Sequence, residues 1–92
     1  MRYSVTSAFG RSLRDLPAFR KDQVKKAIEL AVAFFETGVL PHGLGLKPLR
    51  HQFWEIRASI ADRVIFRKNK NVIEFVLVGS HDDIKKFLRR SA

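Results

Sequence analysis

The chain has 92 residues, 46% of them hydrophobic, which is enough for one domain with a real core and too few for two. It carries 18 Lys and Arg against 9 Asp and Glu, a formal charge of +9, and no cysteine. The missing cysteines exclude a disulfide scaffold, thiolate zinc sites and cysteine nucleophiles, and fit a reducing, cytoplasmic setting. The charge attracts polyanions, whether nucleic acid, an acidic membrane surface or an acidic protein. The longest apolar run, Ala31 to Phe35 (AVAFF), is too short to cross a bilayer. The opening stretch MRYSVTSAFGRSLRDL has scattered arginines and no apolar core of a signal peptide.

Tyr3 and Val5 alternate with Arg2 and Ser4, the pattern of a short strand. A helix is expected to start near Thr6 or Ser7, either of which can cap it, with Phe9, Leu13 and Leu16 at helical spacing and Pro17 as the break. The clearest helix spans about Arg20 to Thr37. Its apolar stripe is Val24, Ala27, Ile28, Leu30, Ala31 and Phe35, and Gly38 is its stop. GVLPHGLGLKPLR is a Gly- and Pro-rich loop with room for a short strand near Leu46 to Leu49.

FWEIRAS alternates as a strand, with Trp54, Ile56 and Ala58 on one face and Glu55, Arg57 and Ser59 on the other. DRVIFRK is the next strand, Asn69 to Asn71 a turn, and NVIEFVLVG a third strand apolar on both faces and therefore central or covered twice. Ser80 caps a last helix, HDDIKKFLRR, with acids in its first turn and bases later. The order β-α-α-β-β-β-α predicts an α+β fold. An antiparallel sheet is covered on one face by the helical hairpin, and its other face is open or partly covered by the last helix.

Folding FWEIRAS against DRVIFRK around Ser59 to Asp62 sets Arg57 and Arg63 on one face, Arg63 together with Ile65 and Arg67. Two guanidinium forks there suit a phosphate. The plainer alternative is solvated strand residues, or pairing with Glu55 and Asp62. GLG at 43 to 45 is only a loop, and His42, His51 and His81 lack metal-ligand spacing.

The element order, the size, the basic charge, and the motifs W-x-I-R at Trp54, R-V-I-F at Arg63 and V-G-x-H at Val78 resemble the RelE/ParE toxin superfamily of type II toxin–antitoxin systems. The resemblance in organisation covers the whole chain as one domain, 1–92, and the motifs cover its second half. In the RelE-like branch it implies a toxin that cleaves mRNA on the ribosome and blocks translation, without metal or other cofactor. Its partners would be a cognate antitoxin, the ribosome and mRNA, with no membrane.

Metal-free cleavage needs a base, cations and an acid. Arg63 and Arg57 are the first candidates. His81 is similar to the family's proton donor. Lys47 stands where some relatives carry a glutamate base, and Glu55 is the nearest carboxylate for that role, with a salt bridge as its alternative. Arg50, His51, Arg67, Lys68 and Phe87 are the RNA-contact candidates. Phe87 departs from a family tyrosine: it can stack but cannot move a proton, and its alternative is packing the last helix through Ile84, Phe87 and Leu88. A gyrase-inhibiting toxin of the ParE kind, or an inert member that mainly binds antitoxin, are the competing readings.

Overall fold

A computed structural model describes residues 1–91. The elements are β1 (Arg2–Val5), α1 (Ser7–Arg14), α2 (Ala18–Thr37), β2 (Lys47–Pro48), a 3-10 turn at Arg50–Gln52, β3 (Phe53–Arg57), β4 (Arg63–Asn69), β5 (Val72–Gly79) and α3 (His81–Arg90). Thr6 caps α1, its hydroxyl accepting from the Phe9 amide at 3.0 Å. α2 begins after Pro17 and ends on Gly38 at φ 77°, a left-handed stop that glycine takes without steric cost.

The five strands form one sheet in the order β1-β5-β4-β3-β2. β2 to β5 run antiparallel to their neighbours, whereas β1 lies parallel to β5 with Arg2 opposite Val72 and Val5 opposite Phe75. The sheet is thus mixed, not antiparallel throughout as the strand order alone predicts. The α1–α2 crossover over one face returns the chain so that its first strand reaches the free edge of β5 in parallel.

The α1–α2 face holds the larger core. Phe9, Val24, Ala27 and Ala31 pack on Ile56, Val64, Phe66, Ile73, Phe75 and Val78. Leu30, placed in the apolar stripe by its spacing, is instead 39% exposed, because the stripe centres on Val24, Ala27 and Ala31 and leaves Leu30 at its rim. The opposite face carries a smaller cluster, where Ile84 of α3 meets Phe53, Ile65 and Val76, flanked by Leu49, Leu77, Phe87 and Leu88.

A bulge in β5 makes both faces possible. The pairing steps from Ile65–Leu77 to Phe66–Phe75, leaving Val76 as the extra residue. Phe75 and Val78, three apart, then share the α1–α2 face, while Val76 and Leu77 both serve the α3 face. β5 extends beyond the end of β1 here, and two hydroxyls take over its polar groups. Thr6 Oγ1 donates to the Val76 carbonyl at 2.7 Å, and Ser12 Oγ accepts from the Val78 amide at 3.1 Å. The tyrosine of β1, Tyr3, donates to Glu36 at 2.6 Å. Partial burial and then this contact push its phenol up to about 12. No helix among the described residues is long and apolar enough to cross a membrane.

Candidate functional site

The sheet register decides which basic side chains meet. Arg57, Arg63 and Gly79 stand in one row across β3, β4 and β5. Lys47, Glu55, Ile65 and Leu77 stand in the next. Alternation puts these residues on the α3 face. The chain leaves β5 at Gly79 and enters α3 at His81, so His81 opens the helix at the end of the arginine row.

Two features of the sequence build that corner. Ser80 accepts from the Asp83 amide at 3.1 Å, and the Asp83 carboxylate accepts from the Ser80 amide at 2.9 Å, a reciprocal cap. A side chain at Gly79 would put its Cβ 2.8 Å from the Asp83 Cβ, so glycine is what lets the cap close back on the strand end. The other is the loop before β2, where Gly45 at φ 66° runs so close that an added Cβ would lie 3.0 Å from the Arg57 Cβ. The Arg57 amide donates to the Leu44 carbonyl at 2.8 Å there.

The Ser80 amide and hydroxyl, followed by Lys86, hold the Asp83 carboxyl below the usual carboxylate range. A depressed carboxylate stabilises the fold fully above its unfolded value and loses that contribution as pH falls through the folded one. Thermal melts of Asp83→Ala are therefore expected to fall below wild type at neutral pH and to converge with it below about pH 4. A constant gap across that range would assign the effect to packing.

The two arginines are not equivalent. Arg63 is mostly buried, its Nε 3.3 Å from Glu55 Oε2 and its terminal nitrogen donating to the Ser59 carbonyl at 2.9 Å. Glu55 is buried with it. Arg57 is exposed and makes no ion pair among the described residues. Asp62, an expected partner for these arginines, is fully buried and turned to the helical face, where Arg20 grips it through two hydrogen bonds of 2.8 and 2.6 Å.

The remaining candidates separate. Lys47 is exposed on β2 opposite Glu55. Arg67 is committed to Glu74 and lies 5.8 Å over the Phe53 ring. Lys68 lines a groove on the α2 side with Phe34, Phe35 and Trp54, away from the arginine row, because it alternates with Arg67. Phe87 stands edge-on to Phe53 at 5.1 Å and packs α3 on the sheet, which uses the ring that would otherwise stack on a base. Arg50 and His51 lie in the turn before β3, His51 in the left-handed region at φ 59°. Sequence alone leaves Arg50 isolated, whereas the fold places it beside Lys85 and Arg89 of α3. Among the described residues no group of three or more His, Asp or Glu side chains is arranged to hold a metal ion.

No protein-family model matches the chain, and no curated protein matches it in sequence. Solved structures do match over nearly its full length. A chain of the E. coli DinJ-YafQ toxin–antitoxin complex superposes with a TM-score of 0.73 at 14% identity, covering 89% of this chain and 93% of that one. A chain of the RelB-RelE antitoxin–toxin complex from Methanococcus jannaschii gives 0.68 at 20% identity, covering 90% and 95%. The chain has the RelE-like toxin fold. The YoeB/ParE toxin from Agrobacterium tumefaciens shares this fold with a TM-score of 0.66 at 16% identity, covering 88% of this chain and 99% of that one. On the RelE-like fold of this chain, the arginine row and His81 occupy the open corner of the α3 face.

Proposed function

We propose that this chain is the toxin of a type II toxin–antitoxin pair and cleaves mRNA on the ribosome in the cytoplasm. The observation that carries the reading is a pair of arginines at directly opposed positions on β3 and β4. Like charges facing across a ladder destabilise a sheet, and among the described residues only Arg63 of the two has a carboxylate to offset its charge. A phosphate between the two would neutralise both.

In this reading Arg57 grips the scissile phosphate and Arg63, fixed by Glu55, faces the charge that grows on its oxygens. The ribose 2′-OH attacks the adjacent phosphorus and its proton passes to a base. The bond to the 5′-oxygen breaks, and that oxygen takes a proton from His81, leaving a 2′,3′-cyclic phosphate and a 5′-hydroxyl. Lys47 stands on the same face as Arg57 and serves the 2′-OH side. Glu55 acts through Arg63 as a positioning residue. An antitoxin with an acidic amphipathic segment would silence the chain by occupying this face.

Induced expression in a bacterial host, with primer extension on cellular mRNA, tests the reading. Cuts inside translated codons that vanish when translation is blocked are the expected result. Intact mRNA with trapped gyrase–DNA complexes would overturn it in favour of a gyrase inhibitor. Intact mRNA and free gyrase would leave antitoxin binding as the chain's role. His81→Ala is expected to slow cleavage by about 10²–10⁴-fold with RNA affinity nearly unchanged. Equal losses in both would make His81 a binding contact.

A further inference from the structure

A second cationic surface lies outside the arginine row. Arg50, from the turn before β3, and Lys85 and Arg89, from α3, line one shallow concavity around Leu88. The three cations are exposed, and none forms an ion pair among the described residues. Two separate elements thus bring like charges together over a partly apolar floor. The acids of α3 lie off this surface: Asp83 is spent on the cap, and Asp82 neighbours it in the first turn.

The concavity is connected to the arginine row by the helix itself. His81, Lys85 and Arg89 are spaced four apart on α3, all three exposed, so they form one stripe along the helix. Eight residues of helix carry the stripe about 12 Å from the corner where His81 sits to the Arg50 side. α3 is held in this direction by Ile84 against Phe53, Ile65 and Val76, with Phe87 edge-on to Phe53. The track is therefore laid on a docked helix, which fixes where its cations are rooted before any ligand arrives.

We infer that Arg50, Lys85 and Arg89 form a phosphodiester subsite that holds the RNA strand beyond the cleavage point, the strand running along the His81–Lys85–Arg89 stripe. The inference rests on the nuclease reading and adds the path of the substrate to it. The recognised group is the backbone phosphate, so the subsite is indifferent to base identity. It supplies affinity and strand direction and leaves the chemical step to the corner.

The test is binding of a fluorescent single-stranded RNA oligonucleotide to the full chain across a salt series. Lys85→Ala/Arg89→Ala is compared with wild type and with Lys25→Ala/Lys70→Ala, which removes the same charge from α2 and from the β4–β5 turn. Two lost phosphate contacts should lower the salt slope by about 1.4, and the stripe variant should bind about tenfold more weakly. The control variant should keep the wild-type slope, and both variants should keep the wild-type Tm. Equal weakening in the two variants would reduce the effect to net charge and overturn the subsite. So would wild-type binding by the stripe variant, and in either case the nuclease reading stands. Wild-type protein that binds no RNA at any salt, yet cuts none on ribosomes either, would sink both.

Discussion

Arg57→Ala should abolish growth arrest while leaving the protein as stable as wild type or slightly more so. Arg57 is exposed and unpaired among the described residues and faces Arg63 across the ladder, so its removal relieves a like-charge contact worth up to about 1 kcal/mol. On the proposed nuclease reading what is lost is the grip on phosphate, for which a drop of about 10²–10³-fold in cleavage is expected. Arg63→Ala should lose activity as well, for a mixed reason. It leaves the buried Glu55 carboxylate without its cation and the Ser59 carbonyl without its donor. An orphaned buried group costs about 1–3 kcal/mol, which in a chain of this size moves Tm by several degrees. Melting curves beside induced-growth assays separate the two variants. A fully toxic, well-expressed Arg57→Ala would remove this corner from consideration.

The second large effect concerns stability alone. Arg20→Ala should lower Tm by roughly 10 °C, and Asp62→Ala by clearly less. The order is counterintuitive, since Arg20 is the more exposed partner. The Arg20 side chain is 39% exposed and that of Asp62 is 0% exposed. Removing Asp62 leaves a guanidinium that water can solvate. Removing Arg20 leaves a carboxylate sealed inside the fold. The pair also fastens the β3–β4 loop to α2, where Ser59 Oγ accepts from the amides of Ala61 and Asp62 and holds Ile60, 97% exposed, at the tip. Denaturation of both single variants and the double variant measures the coupling. Equal shifts in the singles would contradict the burial argument.

Much of this architecture is legible in local sequence, because local rules set it. The Thr6 cap, the Pro17 break, the Gly38 stop, the Asn69 to Asn71 turn and the Ser80 cap are each decided by a few neighbouring residues. Strict alternation along β3 and β4 also suffices to put Arg57 and Arg63 on one face. What alternation cannot supply is a partner from elsewhere. Asp62 adjoins the hairpin arginines in sequence, but its cation sits 42 residues away on α2. The parallel edge strand and the bulge at Val76 have the same cause. β5 is apolar on both faces, so its pattern tolerates either register, and the groups that fix it, Thr6 and Ser12, belong to the other end of the chain. Lys85 and Arg89 read locally as bases suited to a helix C-terminus. Their neighbour Arg50 comes into view only once Ile84 and Phe87 dock α3 on the sheet.

The pairing of β1 with β5 has a consequence for the order of assembly. Arg2 finds its partner at Val72, 70 positions further along the chain. At a synthesis rate of about 5–20 residues per second, the first strand waits roughly 4–14 s before its neighbour exists. During that wait α1 and α2 form from local contacts, but their apolar faces have no sheet to cover. Contacts of such long range make the final closure slow. The arginine row is completed by the same late segment, since Gly79 and His81 follow β5. On a nascent chain the arginine row therefore cannot exist until β5 and the start of α3 have been translated, however early its two arginines were made.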